Sequence, residues 1–354
     1  MKKVLITGGA GFVGANLAIY FKRDNPSWDI TSLDNLHRRG SELNLTQLAK
    51  SGIKFVHGDI RIVDDLENAG EFDLFVECSA EPSVLAGYDG SPSYLYQSNL
   101  VGTLNCLEMC RKRQADIIFL STSRIYPMQV IDALQFIEEK TRFKLASDQK
   151  MPGVSEYGFS EKLPLAGIRS HYGTTKLCSE LVIQEYMAAY GIQGVINRCG
   201  VITGPWQMGK VDQGFVVLWL ARHMWNGNLS YIGYGGKGKQ VRDILHIEDL
   251  YNLLRMQIDQ LDEISGSVYN VGGGPELSIS LYELTQICRD LTGHKIPIDS
   301  VFETRQADIP YYISDCRKIR KITGWKPRKG IKEITHHIHT WLKRNEALLK
   351  LILS

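Results

Sequence analysis

A glycine-punctuated turn near the start of the chain restricts its fold more than any other segment. Val4-Leu5-Ile6 is a short apolar run, and Thr7-Gly8-Gly9-Ala10-Gly11-Phe12-Val13-Gly14 follows it directly. Gly8, Gly11 and Gly14 form G-x-x-G-x-x-G. Residues 16–21 then show helical spacing, and a second strand over 29–33 ends at Asp34, 20 residues after Gly14. Strand, glycine turn, helix and strand within about 30 residues make a βαβ unit of the kind that cradles a dinucleotide. In such a unit the first glycines let the backbone approach a pyrophosphate, and the last lets the helix pack against the strand. The helix N-terminus offers its unpaired N–H groups to the phosphates. A glycine triplet alone is a weak signal; its place between strand and helix, with Asp34 closing the next strand, gives it weight.

The alternation continues. A strand over 54–56 ends at His57-Gly58-Asp59, and 74–77 forms another. A long helical stretch over 94–113 leads into a strand over 117–120; helical spacing returns over 172–190, followed by a strand over 194–197. This order predicts an α/β fold, a Rossmann-like doubly wound parallel sheet covered by helices on both faces. After about Thr203 the texture changes. Gly- and aromatic-rich segments such as 231–238 interrupt shorter elements, which predicts a smaller C-terminal lobe. Residues 268–271 read as one more strand returning to the main sheet. Between Tyr126 and Tyr172 no periodicity is visible, and a loop of that length in a compact protein is expected to be functional or mobile.

Composition excludes several classes. The 354 residues exceed one average domain, and with 44% hydrophobic and 23% charged residues they carry no signature of disorder. A formal net charge of +2 points to neither a nucleic-acid binder nor a polybasic membrane protein. The seven cysteines contain no C-x-x-C pair, so free thiols in a reducing compartment are expected, and no metal framework. His246 and the His336-His337 pair lack ligand partners at metal-binding spacing and read as structural. The first strand begins so near Met1 that no signal peptide is expected, and no apolar run approaches the roughly 18 residues of a membrane span. The expected location is cytoplasmic.

Two segments carry chemistry. Asp34 would accept hydrogen bonds from adenosine ribose hydroxyls and repel a 2′-phosphate, favouring NAD over NADP. Arg38 and Arg39, just past the strand, favour the opposite alternative. Asp59 would suit the adenine amino group, with ordinary turn chemistry at Gly58-Asp59 as the other reading. Further on, Tyr172-Gly173-Thr174-Thr175-Lys176 places a phenol and an ammonium at i and i+4 on one helix face. A phenol of pKa about 10 is a poor base at neutral pH. A cation roughly 5 Å away, at an effective dielectric of about 20, favours phenolate by about 3 kcal/mol, or about two pKa units. Oxidised nicotinamide adds a second positive charge. Tyr172 could then take a proton from a substrate hydroxyl while the carbon bearing it gives hydride to the cofactor. Tyr-x-x-x-Lys also arises on helices by chance; Ser121-Thr122-Ser123, closing a strand about 50 residues earlier, gives it context.

Together the glycine turn, Asp34, the hydroxyl run and Tyr-x-x-x-Lys resemble the extended short-chain dehydrogenase/reductases, in particular the NAD-dependent epimerase/dehydratase family, over nearly the whole chain. In that family the strand-end hydroxyl is the third residue of a Ser-Ser-Ser/Thr run. Leu120-Ser121-Thr122 stands there, so the resemblance implies Thr122, Tyr172 and Lys176 as the catalytic group. Family dehydratases continue with Asp-Glu or a close variant. This chain has Ser123-Arg124, which argues against elimination of water and, similarly, against decarboxylation. Cys78-Ser79-Ala80-Glu81 also departs from the His-Leu-Ala-Ala type; Glu81 belongs either near the substrate or on a solvated loop.

Longer strings look like the CDP-paratose (CDP-tyvelose) 2-epimerases. They are Ser155-Glu156-Tyr157-Gly158-Phe159, Asn197-Arg198-Cys199-Gly200-Val201, Gly204-Pro205-Trp206-Gln207 and Val211-Asp212-Gln213-Gly214. Asp34-Asn35-Leu36 with Arg38-Arg39-Gly40, and Gly238-Lys239-Gln240-Val241-Arg242-Asp243, belong to the same set. The resemblance implies C2 epimerisation of a CDP-hexose or CDP-dideoxyhexose through a transient 2-keto sugar. A 4-epimerase or a net dehydrogenase/reductase of another nucleotide sugar is the alternative, and a non-catalytic nucleotide-sensing protein a more distant one.

The resemblance also assigns sites and domains. Residues 1–202 would bind NAD, with the strand near 267–272 returning to that domain, and 203–354 would mainly bind the sugar nucleotide. The cofactor would meet Gly8, Gly11, Phe12, Val13, Gly14, Asp34, Asn35, Asp59, Ile60, Ser79, Ala80 and Asn99, besides Tyr172 and Lys176. The substrate would meet Ser123, Gln213, Gln240, Arg242, Arg305 and Asp308. Arginine suits bidentate contact with a diphosphate; for Arg242 and Arg305 the other reading is a surface salt bridge. Asp212-Gln213-Gly214 would help close over the ligand, and Lys237 and Lys239 read equally well as solvated charges. The helices over 94–113 and 172–190, with Leu177, Leu181 and Val182, are where the family pairs subunits, implying a homodimer or a tetramer. No metal, nucleic acid or membrane partner is implied.

Overall fold

The computed structural model describes residues 1–210 and 213–353. The chain divides into two compact units. Residues 1–125, 171–198 and 250–269 form the first, and residues 126–170, 199–249 and those from 270 onward the second. A single division after residue 202 therefore describes it only in part: segment 126–170 joins the second unit and 250–266 the first.

The first unit is built on a seven-stranded sheet. Its strands are β1 (Lys3–Thr7), β2 (Asp29–Asp34), β3 (Lys54–His57), β4 (Leu74–Glu77), β5 (Asp116–Thr122), β6 (Gly194–Cys199) and β7 (Val268–Val271), in the order β7-β6-β5-β4-β1-β2-β3. β1 through β5 pair in parallel. Parallel neighbours need crossover connections, and the crossing helices bury both faces, so the strands read as continuous apolar runs. Leu74, Phe75 and Val76 of β4 and Ile117, Ile118 and Phe119 of β5 are all fully buried. The strand order reverses between β1 and β4. In an open α/β sheet that reversal opens a crevice at the carboxyl ends of the strands, where ligands bind.

Three helices matter for that crevice: α1 (Phe12–Asp24), α2 (Gly102–Arg113) and α3 (His171–Tyr190). The stretch expected to be helical over 94–113 is a short helix at Ser93–Tyr96, a π turn at Gln97–Val101 and then α2. Single π turns inserted in helices concentrate at functional positions. α2 packs Cys106, Leu107 and Cys110 into a cluster with Phe75, Ile117 and Phe119.

α3 is different, because its buried face is polar: Thr175, Lys176, Ser179 and Glu180 all point inward. Glu180 accepts hydrogen bonds from Arg198 of β6, with Nη2 at 2.8 Å, and from the hydroxyl of Ser121 on β5. The Arg198 and Glu180 side chains are only 6% and 0% exposed. A buried ion pair of this kind ties the helix to two strands at once.

In the second unit the segment 126–170 is ordered, unlike the loop expected from its lack of periodicity. It contains a short helix at Met128–Asp132 and two antiparallel hairpins, Phe136–Glu138 with Phe143–Leu145 and Val154–Ser155 with Gly158–Phe159. Strands of two or three residues are too short for alternation to show. Arg142 in the first hairpin donates from Nε to Glu283 at 2.8 Å and from Nη2 to the Ser278 carbonyl at 2.9 Å. Glu283 also completes the capping box with Ser280 that starts the helix Leu281–Thr292. A small sheet joins Val201–Thr203, Val241–His246 and Ser278–Ser280, with Tyr311–Tyr312 beside the middle strand. Amphipathic helices at Phe215–Met224 and Ile331–Arg344 show that regular structure persists past Thr203. No described helix is long and apolar enough to cross a membrane.

The Arg198–Glu180 pair yields a stability prediction. Arg198→Met leaves Glu180 buried without its counter-ion and is expected to cost about 3–5 kcal/mol. Arg198→Met combined with Glu180→Leu removes both charges and should recover most of that loss. Denaturant midpoints of the two variants check both statements.

Candidate active site

The turn after β1 is shaped by close approach. Gly8 has φ +63, and a Cβ there would lie 2.8 Å from the Cys78 carbonyl group. A Cβ on Gly14 would lie 2.3 Å from the Gly8 oxygen, closer than any side chain permits. Gly11 is the N-cap of α1 with no side-chain cap, and the first turn carries no acidic residue. The early N–H groups of α1, including those of Phe12, Val13 and Gly14, are therefore left for an anion, with the positive end of the helix dipole behind them. This is the arrangement a dinucleotide pyrophosphate fits.

Asp34 ends β2, where its Oδ2 accepts the Ala10 N–H at 3.1 Å and its Oδ1 the Leu36 N–H at 2.8 Å. Burial raises its pKa, and these N–H groups pull the other way. The carboxylate thus braces the glycine turn as well as facing the crevice. Asn35 donates from Nδ2 to Asp59 Oδ2 at 2.9 Å. Asp59 also receives Arg61 in a two-point ion pair, with Nη2 at 2.7 Å and Nε at 3.0 Å. Burial opposes the Asp59 charge, but Arg61 and Asn35 overcome it and hold the carboxyl down at about 2. The Arg61 guanidinium lies 4.7 Å over the Tyr94 ring, which also meets His37 at 4.7 Å. Arg61, Tyr94 and His37 were not expected from the sequence; no motif marks them. Ile60 is buried, and its carbonyl accepts Asn105 Nδ2 at 2.9 Å.

After β4 come Ser79 and Ala80. The Ser79 hydroxyl bonds Thr7 Oγ1 of β1 at 2.9 Å, on the facing lip of the crevice. Asn99 sits in the π turn and is almost wholly buried. Its Oδ1 accepts the Glu81 N–H at 2.7 Å; its Nδ2 donates to the Glu81 carbonyl at 3.1 Å and to Thr175 Oγ1 at 3.2 Å. Asn99 thereby holds the loop at Glu81 against the start of α3. The Glu81 carboxylate itself accepts the Ser83 N–H at 3.2 Å.

The residues expected to react lie at the end of β5 and the start of α3. Thr122 closes β5, is nearly buried, and accepts the Arg124 N–H at 3.2 Å. Ser123 opens the 3-10 turn Ser123–Ile125. α3 packs against β5 and against that turn. Tyr172 is in the first turn of α3 and half-buried, while Lys176, one turn on, is 2% exposed with its Nζ 3.9 Å from the centroid of the Phe119 ring. A cation over a ring face is attracted by the ring's quadrupole. Next to Tyr172, His171 meets Tyr96, whose hydroxyl lies 3.3 Å from Nδ1, and the ring of Tyr88 at 5.6 Å. These aromatic neighbours also lacked a sequence signal. Glu180 did have one: it stands four residues beyond Lys176, on the same helix face.

Of the expected substrate residues, Ser123 belongs to the first unit and the other five to the second. Arg242 Nη2 lies 3.0 Å from Asp308 Oδ1 and 2.7 Å from the Ile309 carbonyl, so these two site residues are already an ion pair. Arg305 lies in the same turn, its carbonyl accepting the Asp308 N–H at 3.3 Å. Gln240 is buried; its Nε2 donates to the Ile232 carbonyl at 2.6 Å, and its Oε1 is buried without a partner among the described residues. Gln213 exchanges backbone hydrogen bonds with Lys210 ahead of the helix Phe215–Met224. Asp212 and Val211 lie outside the described residues. Lys237 and Lys239 both bind Glu138, at 2.9 and 2.8 Å, and hold its carboxyl at about 2. His246 and His337 meet edge to face at 5.4 Å, and burial lowers the His246 pKa to about 4.

Comparison with known proteins agrees with this geometry. The model of the NAD dependent epimerase/dehydratase family matches residues 4–272. The chain is 29% identical over 347 residues to the CDP-paratose 2-epimerase of Salmonella typhi, covering 96% of this chain and 98% of that one. It is 27% identical over 350 residues to the putative UDP-glucose 4-epimerase of Methanocaldococcus jannaschii, covering 97% and 99%. The crystal structure of dTDP-glucose 4,6-dehydratase from Bacillus anthracis in complex with NAD shares the fold, with a TM-score of 0.77 at 22% identity over 99% of this chain and 100% of that one. A dinucleotide crevice beside a Tyr-x-x-x-Lys helix defines the extended short-chain dehydrogenase/reductase class. Within it, the chain belongs to the NAD dependent epimerase/dehydratase family, and its cofactor is NAD.

The glycine turn supplies the test of this site. Gly14→Ala places a Cβ against the Gly8 oxygen and is expected to weaken NAD retention roughly tenfold or more, about 1.4 kcal/mol. Gly90→Ala, at a position with nothing within 4 Å, is the control. NAD released from each purified protein on denaturation, measured by absorbance, reads the difference.

Proposed function

We propose that the protein is an NAD-dependent sugar-nucleotide epimerase that inverts C2 of a CDP-linked hexose or dideoxyhexose. The observation that carries its chemistry is Tyr172 one turn ahead of the buried cation of Lys176, on a helix packed against the strand that ends in Thr122. The full-length likeness to a CDP-paratose 2-epimerase supports the choice of carbon and base. Ser123-Arg124 after Thr122 supports epimerisation over elimination, because neither side chain forms the carboxylic acid–base pair that removal of water would use.

NAD, bound along the glycine turn, Asp34 and the loop at Ser79-Ala80, supplies a hydride acceptor and then a hydride donor. Tyr172, as phenolate, takes the proton of the C2 hydroxyl, and the sugar is oxidised there to a ketone. Lys176 favours the phenolate through its charge. The Thr122 hydroxyl holds the same sugar oxygen, keeping it within reach of Tyr172. After the ketone presents its other face and is reduced, Tyr172 returns the proton, so the sequence is redox-neutral and consumes no base. The nucleotide diphosphate falls to Arg242 and Arg305, with Gln213, Gln240 and Asp308 beside them. Because Asp308 already neutralises Arg242, Arg305 would supply most of the net positive charge.

A homodimer through the outer faces of α2 and α3 fits the same reading. Leu181 and Tyr190 are 55% and 46% exposed on α3, whereas Val182 of the expected apolar stripe is half-buried and packs against the core cluster. Leu181→Glu is expected to shift the protein to monomer in sedimentation velocity.

Proton NMR of the NAD-loaded protein with CDP-paratose, CDP-glucose, UDP-glucose and GDP-mannose in separate tubes tests the activity. The expected result is inversion at C2 of a CDP sugar without net NADH, slowed about 10²–10⁴-fold by Tyr172→Phe. Inversion at C4 of a UDP sugar, or stoichiometric NADH, would replace this reading.

A further inference from the structure

Three side chains of the first unit, His37, Arg61 and Tyr94, have no part in the chemistry above. They come from the turn after β2, the turn after β3 and the short helix Ser93–Tyr96 that follows β4. The Arg61 guanidinium lies 4.7 Å over the Tyr94 ring. The His37 ring meets the same ring at 4.7 Å, with 34° between the planes. The circuit closes through Asp59. Arg61 grips that carboxylate at 2.7 and 3.0 Å, and Asn35, two residues before His37, donates to it at 2.9 Å. Side-chain contacts thus tie the carboxyl ends of β2 and β3 to each other and to the helix after β4.

Two features separate this circuit from ordinary core packing. His37 and Arg61 are exposed and Tyr94 is half-buried, so hydrophobic burial contributes little to bringing them together. The backbone that delivers His37 is also unusual. Leu36 has φ +55, a left-handed conformation that residues with a side chain seldom adopt. Asp34 holds the turn there, its Oδ1 accepting the Leu36 N–H at 2.8 Å, and Asn35 Oδ1 accepts the His37 N–H at 3.0 Å. Such a conformation persists where its surroundings over-determine it, and it collects at ligand clamps. Asp34, the carboxylate expected at the adenosine ribose, therefore also sets the turn that carries His37 to Tyr94.

We propose that His37, Tyr94 and Arg61 form a clasp that slows release of the adenosine half of NAD, which rests on NAD lying along Asp34 as proposed above. The cofactor leaves only after the contacts to the Tyr94 ring part, so their strength enters the release rate directly. A redox-neutral reaction returns NAD to its oxidised form in every cycle, and slow release costs it no turnover. A net dehydrogenase has to release NADH each time.

Release of radiolabelled NAD from the loaded protein into excess unlabelled NAD tests this without any nucleotide sugar. Tyr94→Leu removes both ring contacts and should release NAD about tenfold faster. Tyr94→Phe keeps the ring and should stay within about twofold of wild type. His37→Ala should be about threefold faster alone and add nothing to Tyr94→Leu, because its partner is already gone. Wild-type release in Tyr94→Leu, equally fast release in Tyr94→Phe, or additive effects of His37→Ala and Tyr94→Leu would each overturn the proposal. Should Tyr94→Leu not fold, His37→Ala decides at an exposed position, and wild-type release there counts against the clasp. Asp34→Ala separates the two ideas. If it speeds release and Tyr94→Leu does not, the clasp fails and the placement of the adenosine stands. If neither speeds release, the placement fails with it.

Discussion

Helix α3 carries two opposite charges one turn apart on the face it buries, Lys176 and Glu180. Removing an ion from water costs several kcal/mol unless a partner compensates, so each charge dictates what must stand opposite it. Glu180 is met by Arg198 from β6 and Ser121 from β5. Lys176 is met by the Phe119 ring. A slip of α3 by one residue would rotate both charges away from these partners. The helix therefore docks in one register, and that register sets Tyr172 against the end of β5. The geometry proposed for catalysis is a consequence of charge compensation beneath it.

At the other edge of the same unit the controlling quantity is space rather than charge. The Gly14 Cα approaches the Gly8 oxygen so closely that no side chain fits, and α1 begins with bare N–H groups. Asp34 links the two requirements. It braces the turn through the Ala10 N–H and presents its carboxylate where ribose hydroxyls are expected. Asp59, gripped by Arg61 and Asn35, is more rigidly committed.

In the second unit several short elements are held by ion pairs. Arg142 binds Glu283, the two lysines of the Gly-rich loop bind Glu138, and Arg242 binds Asp308. Such pairs hold short elements in place where hydrophobic burial is limited. The segment 126–170 shows the same economy: its hairpins are held through Arg142 and through the Phe143 N–H bond to the Lys239 carbonyl.

The sequence by itself determined the doubly wound sheet, the glycine turn, Asp34 and the Tyr172–Lys176 spacing, because each depends on contacts within a few residues or on a periodicity repeated along the chain. The hairpins of 126–170 left no trace, since strands of two or three residues have no period to detect. Tertiary structure alone decided which charges meet. Glu180 finds Arg198 and Arg242 finds Asp308 across intervals of 18 and 66 residues. The energy of such a pair depends on distance and burial in three dimensions, and neither quantity is encoded in sequence separation.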